Sequence, residues 1–277
     1  MLKKNSTHYT LHSALDKPVL LISASDSSAA AGMQVDLRVL NDLGSPARCS
    51  ITAVTVQGDG GAMSINSVDP DIINESILTA LSDLPGIGAV KIGLLGEAST
   101  AKALEVPLAR IKGSGIPIVV DPVMRSTPGS ALSTEDTAAT ILEKVLPWTA
   151  LLTPNRDELE ALSNLMSNKN GDEAQKVQQL LKYGAGGILV TGGDTEDDQC
   201  VDILYELNGT TTEFKHPRIG ERPPRGTGCA LSTAIAVHLG RGIPMVEAVS
   251  NSIEYVTGLI EKAVVVGDQL LLFPGRK

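Results

Sequence analysis

Short β-branched runs that alternate with longer helical stretches constrain this chain most. Val19 to Ser23, Cys49 to Val56, Ala89 to Gly93, Ile116 to Asp121, Ala150 to Thr153 and Gly187 to Thr191 read as strands. After Asp69 and Pro70, Ile73, Ile77, Leu81 and Leu84 recur at helical spacing. A second helix begins near Asp172, places Val177, Leu180 and Leu181 on one face and stops at Gly184. Strand, helix, strand as a repeating unit calls for right-handed crossovers, and so for an α/β fold with a doubly wound, mostly parallel sheet and helices on both faces. Aromatic residues are only 3% of the chain, so Val, Ile, Leu and Ala must build the core. Those side chains suit strands buried on both faces. Cys200 to Leu207 and Thr210 to Phe214, separated by Asn208-Gly209, read as a hairpin with a two-residue turn at the sheet edge.

The 277 residues are enough for one large domain. With no internal repeat, the expected division is a polar leader over residues 1–17 and one domain over 18–277. The net charge of −9, without a basic run, argues against a nucleic-acid surface. Three widely spaced cysteines, Cys49, Cys200 and Cys229, form neither a metal pattern nor a CxxC pair and fit a reducing cytoplasm. No apolar run reaches membrane-spanning length, and the leader lacks the apolar middle of a secretory signal.

In a doubly wound sheet, ligands bind beyond the carboxyl ends of the strands, so the polar residues there become a search list. Ser25 to Ser28, Gln57, Asp121, Thr153 to Asn155 and Thr191 to Gly193 all follow strands. Any one of them reads equally as a turn. Later in the chain Arg225-Gly226-Thr227-Gly228-Cys229 runs into an alanine-rich helical stretch. Glycines let backbone N–H groups converge, and a helix start adds unpaired N–H groups and partial positive charge, so Gly226, Thr227 and Gly228 can hold an anion. A thiol has a reference pKa of about 8.5, which a positive helix end lowers, so Cys229 could serve as a base. The same tract is also what an ordinary turn with a packed cysteine looks like.

Several motifs in order carry a resemblance: Ser25-Asp26-Ser27-Ser28, Ala31-Gly32-Met33-Gln34-Val35-Asp36, Lys91-Ile92-Gly93-Leu94-Leu95, Asp121-Pro122-Val123-Met124, Thr153 to Glu158, and Gly226 to Cys229. Over residues 18 to 262 the chain resembles the hydroxymethylpyrimidine/phosphomethylpyrimidine kinases of thiamin biosynthesis, within the ribokinase superfamily. That resemblance implies a ribokinase-like three-layer fold and ATP-dependent phosphorylation of 4-amino-5-hydroxymethyl-2-methylpyrimidine, then of its monophosphate. It implies Cys229 as base, the Gly226 to Gly228 backbone as phosphoryl cradle, and Asp36, Gln57, Leu94 and Val123 around the pyrimidine. Asn155, Thr191, Gly193 and Arg225 would face the nucleotide. Asp121 and Glu158 would organise Mg2+, the latter through water. Relatives are often homodimers, which makes a homodimer the expectation here.

The chain departs from the family pattern at five positions. Alanine stands at 24, 29 and 30 where glycine is usual, Thr191 replaces a lysine near the nucleotide phosphates, and Arg225 replaces a histidine. Each added methyl closes backbone angles open to glycine, and Thr191 removes a point charge. Rival readings are a pyridoxal kinase, since relatives share the scaffold; a pyrimidine-binding sensor without turnover; and a cysteine acyl transferase, for which no histidine is suitably placed near Cys229 in sequence.

Overall fold

The computed structural model describes residues 17–58, 61–82, 86–111, 113–124, 132–166, 171–193, 199–220, 224–267 and 269–274. The leader, apart from Lys17, and the helical position Leu84 lie outside the described residues. The strands are β1 (Val19–Asp26), β2 (Ala47–Gly58), β3 (Gly61–Ser67), β4 (Ala89–Ile92), β5 (Ile118–Val120), β6 (Leu151–Leu152), β7 (Gly187–Val190), β8 (Gln199–Glu206) and β9 (Thr211–Pro217). They form one nine-stranded sheet in the order β3-β2-β1-β4-β5-β6-β7-β8-β9. From β2 to β7 neighbours are parallel, while β3, β8 and β9 pair antiparallel at the edges. The direction of strand addition reverses between β1 and β4, and a crevice opens at such a reversal.

The helices are α1 (Gly32–Asp42), α2 (Pro70–Ser82), α3 (Ala98–Ala103), α4 (Glu105–Ile111), α5 (Glu135–Thr140), α6 (Arg156–Asn164), α7 (Glu173–Leu181), α8 (Thr227–Gly240) and α9 (Met245–Glu261). A short ribbon, β10 (Val264–Val266) with β11 (Gln269–Leu271), follows α9. Period-two alternation sorts the central strands between two cores. Leu20, Ile22, Val90, Ile92 and Val120 face one apolar cluster with Ile73, Ile77, Leu159 and Val177 of α2, α6 and α7. Val19, Leu21, Ala89 and Val119 face another with Met33, Val39, Ile235 and Val249 of α1, α8 and α9. Helix α8 is buried from Ala230 to Val237, and its small side chains let it lie close to the sheet. Gly242, at φ +79°, ends it.

All the expected parallel strands form, with ends differing by a few residues. Helix α7 starts on a capping box of Asp172 and Gln175. Two local features differ from expectation. Strand β3 has no apolar run, only Met63 and Ile65 among small and polar residues, as an edge strand paired on one side permits. The β8–β9 turn spans three residues, not two: Glu206 N–H donates to Thr210 O and Gly209 N–H to Glu206 O, both at 2.9 Å, with Gly209 at φ +88°. A glycine in that conformation after a three-residue loop is the alternative hairpin closure.

Candidate active site

A cavity of about 280 Å3 lies along the carboxyl ends of β5, β6 and β7 and the start of α8. Its wall includes Gln57, Asp121, Val123, Asn155, Glu158, Thr191, Gly193, Arg225, and Gly226 to Cys229. Most of the residues expected at the site therefore meet in one hollow.

The helix start is fixed by backbone constraint. Gly226 sits at φ +87°, and a Cβ there would come 2.5 Å from the Ala30 carbonyl oxygen. Opposite it Gly32 sits at φ +60°, where a Cβ would meet the Ala24 carbonyl oxygen at 2.5 Å. Both positions need glycine, and the β1–α1 turn and α8 lock against one another. Ala29 retains a left-handed φ of 57° despite its methyl; its carbonyl accepts from Arg38 Nη1 at 2.8 Å. Gly226 has no side chain to cap the first turn of α8, and Gly226 to Cys229 line the cavity, so this helix start can take an anion there.

Asp121 lies beneath this turn. Its backbone N–H donates to Ile92 O at 2.8 Å, its Oδ2 is 3.3 Å from the Ser232 hydroxyl, and a Cβ on Gly228 would lie 3.7 Å from Oδ2. Burial pushes its carboxyl up to about 6, with Lys91 pulling down and Asp36 pushing up. Cys229 lines the cavity half-buried, yet its thiol is not the acidic one that the helix start suggests. Desolvation pushes it up to about 12; Lys91 and the Gly32 N–H oppose this, and the negative charges of Asp36 and Asp121 reinforce it. The helix end loses because the sulfur sits among protein atoms with two carboxylates near.

Asp36 does not reach the cavity. It occupies the buried stripe of α1 with Met33, Val39 and Leu40. Its Oδ1 and Oδ2 lie 3.0 and 2.9 Å from Lys91 Nζ, and Oδ1 accepts from Thr233 at 2.8 Å. Both side chains are fully buried, so Asp36 has no surface left for a pyrimidine. Leu94 is likewise sealed, in a cluster with Ala24, Ala53 and Leu132, and only Val123 and Leu132 of that group reach the wall. Gln57 does line it. Its Oε1 accepts from Arg225 Nη2, and its Nε2 donates to Thr55 Oγ1 at 2.8 Å.

Arg225, expected at phosphate oxygens, is turned toward the β1 end. Besides Gln57 it meets Ser28 Oγ at 3.4 Å, Gln269 Oε1 at 3.3 Å and Asp26 Oδ2 at 3.5 Å. The β10–β11 ribbon holds its backbone, since Arg225 N–H donates to Leu270 O. Across the cavity Asn155 and Glu158 form a reciprocal capping box: Asn155 Oδ1 accepts from Glu158 N–H at 2.8 Å, and Glu158 Oε2 accepts from Asn155 N–H at 3.0 Å. The Asn-x-x-Glu spacing thus builds the start of α6 and presents both side chains at the wall. Thr191 bridges Asn155 in parallel register. Gly192 N–H donates to Asp202 Oδ1 at 2.7 Å, and a Cβ there would sit 2.2 Å from Val201 O.

Lys91, Ser232, Asp202 and His216 are not among the functional residues that the sequence points to. Lys91 had a signal: a charge inside the buried run Ala89-Val90-Lys91-Ile92 demands an ionic partner. Asp202 had one too, since it shares the inward register of β8 with Cys200 and Leu204. His216 and Ser232 gave none.

The family described as Phosphomethylpyrimidine kinase matches residues 26–272. The hydroxymethylpyrimidine/phosphomethylpyrimidine kinase of Rhizobium meliloti (strain 1021) is 36% identical over 262 residues, covering 93% of this chain and 94% of the relative. The phosphomethylpyrimidine kinase structure from Clostridium difficile 630 matches with TM-score 0.73 at 29% identity, over 87% of this chain and 98% of that one. The pyridoxal kinase from Staphylococcus aureus, solved with AMP-PCP and pyridoxal, matches with TM-score 0.82 at 26% identity, over 95% and 94%. On its matched length and identity, this chain belongs to the phosphomethylpyrimidine kinase family.

Proposed function

We propose that this protein uses ATP to phosphorylate 4-amino-5-hydroxymethyl-2-methylpyrimidine and then its monophosphate, in thiamin biosynthesis. One observation carries the reading: a single cavity joins the uncapped start of α8, with Cys229 and Asp121, to the loop after β7. The N–H groups of Gly226, Thr227, Gly228 and Cys229 would stabilise charge on the moving phosphoryl oxygens, an effect typically worth about 3 kcal/mol per donor. Gln57 and Val123 would hold the pyrimidine, and Asn155, Thr191 and Gly193 the nucleotide. Arg225 acts on the substrate side by fixing the Gln57 amide.

Among the described residues no group of three or more potential ligands forms a metal cluster. That fits Mg2+, which keeps several waters and travels with nucleotide phosphates. Asp121 and Glu158 are two of the cavity carboxylates and would hold it, Glu158 through water. When bound, the ion offsets charge on the phosphate oxygens.

Cys229 is protonated at rest, so it can accept the hydroxymethyl proton only from its small thiolate fraction. The monophosphate is already largely ionised near neutrality and needs little of this help. An ADP-release assay offering the alcohol, its monophosphate and pyridoxal in parallel tests the reading. ADP should form with both pyrimidines, and Cys229→Ala should slow the alcohol far more than the monophosphate. ADP formation with pyridoxal alone would favour the second reading, a pyridoxal kinase, which the TM-score of 0.82 to such an enzyme supports.

The protein would act in the cytoplasm as a homodimer. Its free cysteines accord with the first. The exposed Ile51, Val54, Val56 and Met63 on β2 and β3 offer an apolar strip for the second. Light scattering on the purified chain measures the mass directly.

A further inference from the structure

Asp202 and His216 form a hydrogen-bonded pair on the cavity wall beside the loop after β7. His216 Nε2 lies 3.3 Å from Asp202 Oδ2, and Asp202 Oδ1 accepts the Gly192 N–H at 2.7 Å. The carboxylate is nearly sealed, at 5% exposure against 19% for the imidazole. An unbalanced carboxylate on the wall of a cavity that receives a triphosphate repels its ligand. The Thr191 position, where the family resemblance implies a lysine, supplies no charge to cancel it.

We propose that His216 is a positioning residue whose protonation cancels the Asp202 charge and so couples nucleotide binding to pH. With the imidazole neutral, the pair carries one negative charge; one proton from solvent brings it to zero. The inference rests on the reading of this cavity as an ATP site.

The surroundings favour the cationic form. The Asp202 hydrogen bond raises the His216 pKa above its ordinary value, partial burial opposes this, and the Asp202 charge and the Pro217 carbonyl add to the rise. Arg218, just past the end of β9 and also on the cavity wall, pulls downward while its Nη1 donates to Gly193 O at 3.1 Å. Cys200 faces His216 across β8. Helix α9 packs against β9, and the residues it gives to the cavity, Ile253, Val256, Thr257 and Ile260, bear no charge. The tightening of ADP binding should therefore be complete at low pH and fade as pH rises through the His216 midpoint, which lies above its ordinary ~6.5.

Calorimetric titration of ADP with Mg2+, at about pH 6 and about pH 9, compares wild type with His216→Gln. ADP titrates on its own account, so the quantity to read is the difference between the two proteins. Wild type should lose ~5-fold or more affinity beyond the loss in the variant. His216→Lys, which keeps a charge over that range, should remove the extra loss without weakening binding at the higher pH. Linkage also requires that ADP raise the His216 midpoint, read by NMR of the imidazole in wild-type protein. Equal losses in wild type and His216→Gln, or an unmoved midpoint with ADP bound, would overturn the proposal alone. No ADP binding to wild type at either pH would overturn the kinase reading and this inference together.

Discussion

Two pairs of a basic side chain with an aspartate stand at opposite depths of this protein. Lys91–Asp36 lies under α8 with both side chains at 0% exposure, and His216–Asp202 lies on the cavity wall at 19% and 5%. In the first, burial disfavours the lysine charge, but Asp36, Cys229 and Asp121 together hold its pKa above the ordinary value. Asp36 itself is pushed up by burial and pulled back by Lys91 and Thr233. The lysine is in effect permanently charged, and it is held with Asp36 in a closed ion pair beneath the helix start. In the second pair water remains close, so the imidazole can gain and lose its proton near neutrality. Depth, more than residue type, decides whether such a pair is a fixed source of charge or a switch.

The largest test of that contrast removes Lys91. Lys91→Met leaves Asp36 buried without its counter-ion and should cost about 3–5 kcal/mol, measured by urea unfolding. Replacing both partners, as Lys91→Met with Asp36→Leu, should recover most of the loss. A cost under about 1 kcal/mol for the single variant would mean that Asp36 takes up a proton cheaply and that the pair is not a fixed one.

Activity against pH probes the same buried cluster from the cavity side. The folded thiol of Cys229 is pushed up to about 12, so its thiolate fraction grows about tenfold per pH unit across the neutral and alkaline range. Alcohol phosphorylation should therefore climb throughout that range without a plateau, and Cys229→Ala should flatten the climb. A wild-type plateau near about pH 8.5 would show that bound substrate and nucleotide return the thiol to an ordinary value.

Much of this was legible in the sequence, for separable reasons. The central strands announce themselves because parallel strands buried on both faces must be unbroken apolar runs. The glycine tract before α8 announces the anion site because Gly226 and Gly32 leave no room for a Cβ. What stayed hidden depends on partners distant in the chain. The resemblance implies Asp36 as a ligand group, and the lysine that claims it lies 55 residues away. Cys229 looked acidic because the helix end is local and visible, whereas the burial and the two carboxylates that outweigh it come from other elements. The resemblance places Arg225 at the nucleotide, but β1, β2 and the β10–β11 ribbon take up its guanidinium.

The wall pair should also leave a smaller mark on stability. A group whose folded pKa is raised contributes stability that is fully present below its unfolded value, about 6.5 for histidine, and that is lost as pH rises through the folded midpoint. The Asp202 hydrogen bond raises the His216 value in the folded protein. Wild type should thus lose roughly 0.5–1 kcal/mol relative to His216→Gln on going from acid to alkaline buffer, seen as converging unfolding midpoints. Parallel curves would mean that solvent screens the pair and would weaken the contrast with Lys91.

A third pair fixes the far end of the scale. Lys215 and Glu213 are 3.7 Å apart on β9, at 57% and 56% exposure. They lie on the outward face of the strand that carries His216 inward. In water their attraction is weak and must hold two long side chains still, so Lys215→Ala should change stability by no more than about 0.5 kcal/mol. Salt should erase even that, because the pair is open to counter-ions. The Lys91–Asp36 pair, closed to them, should keep its contribution in the same salt titration. If salt weakened both pairs alike, burial would not be what separates them.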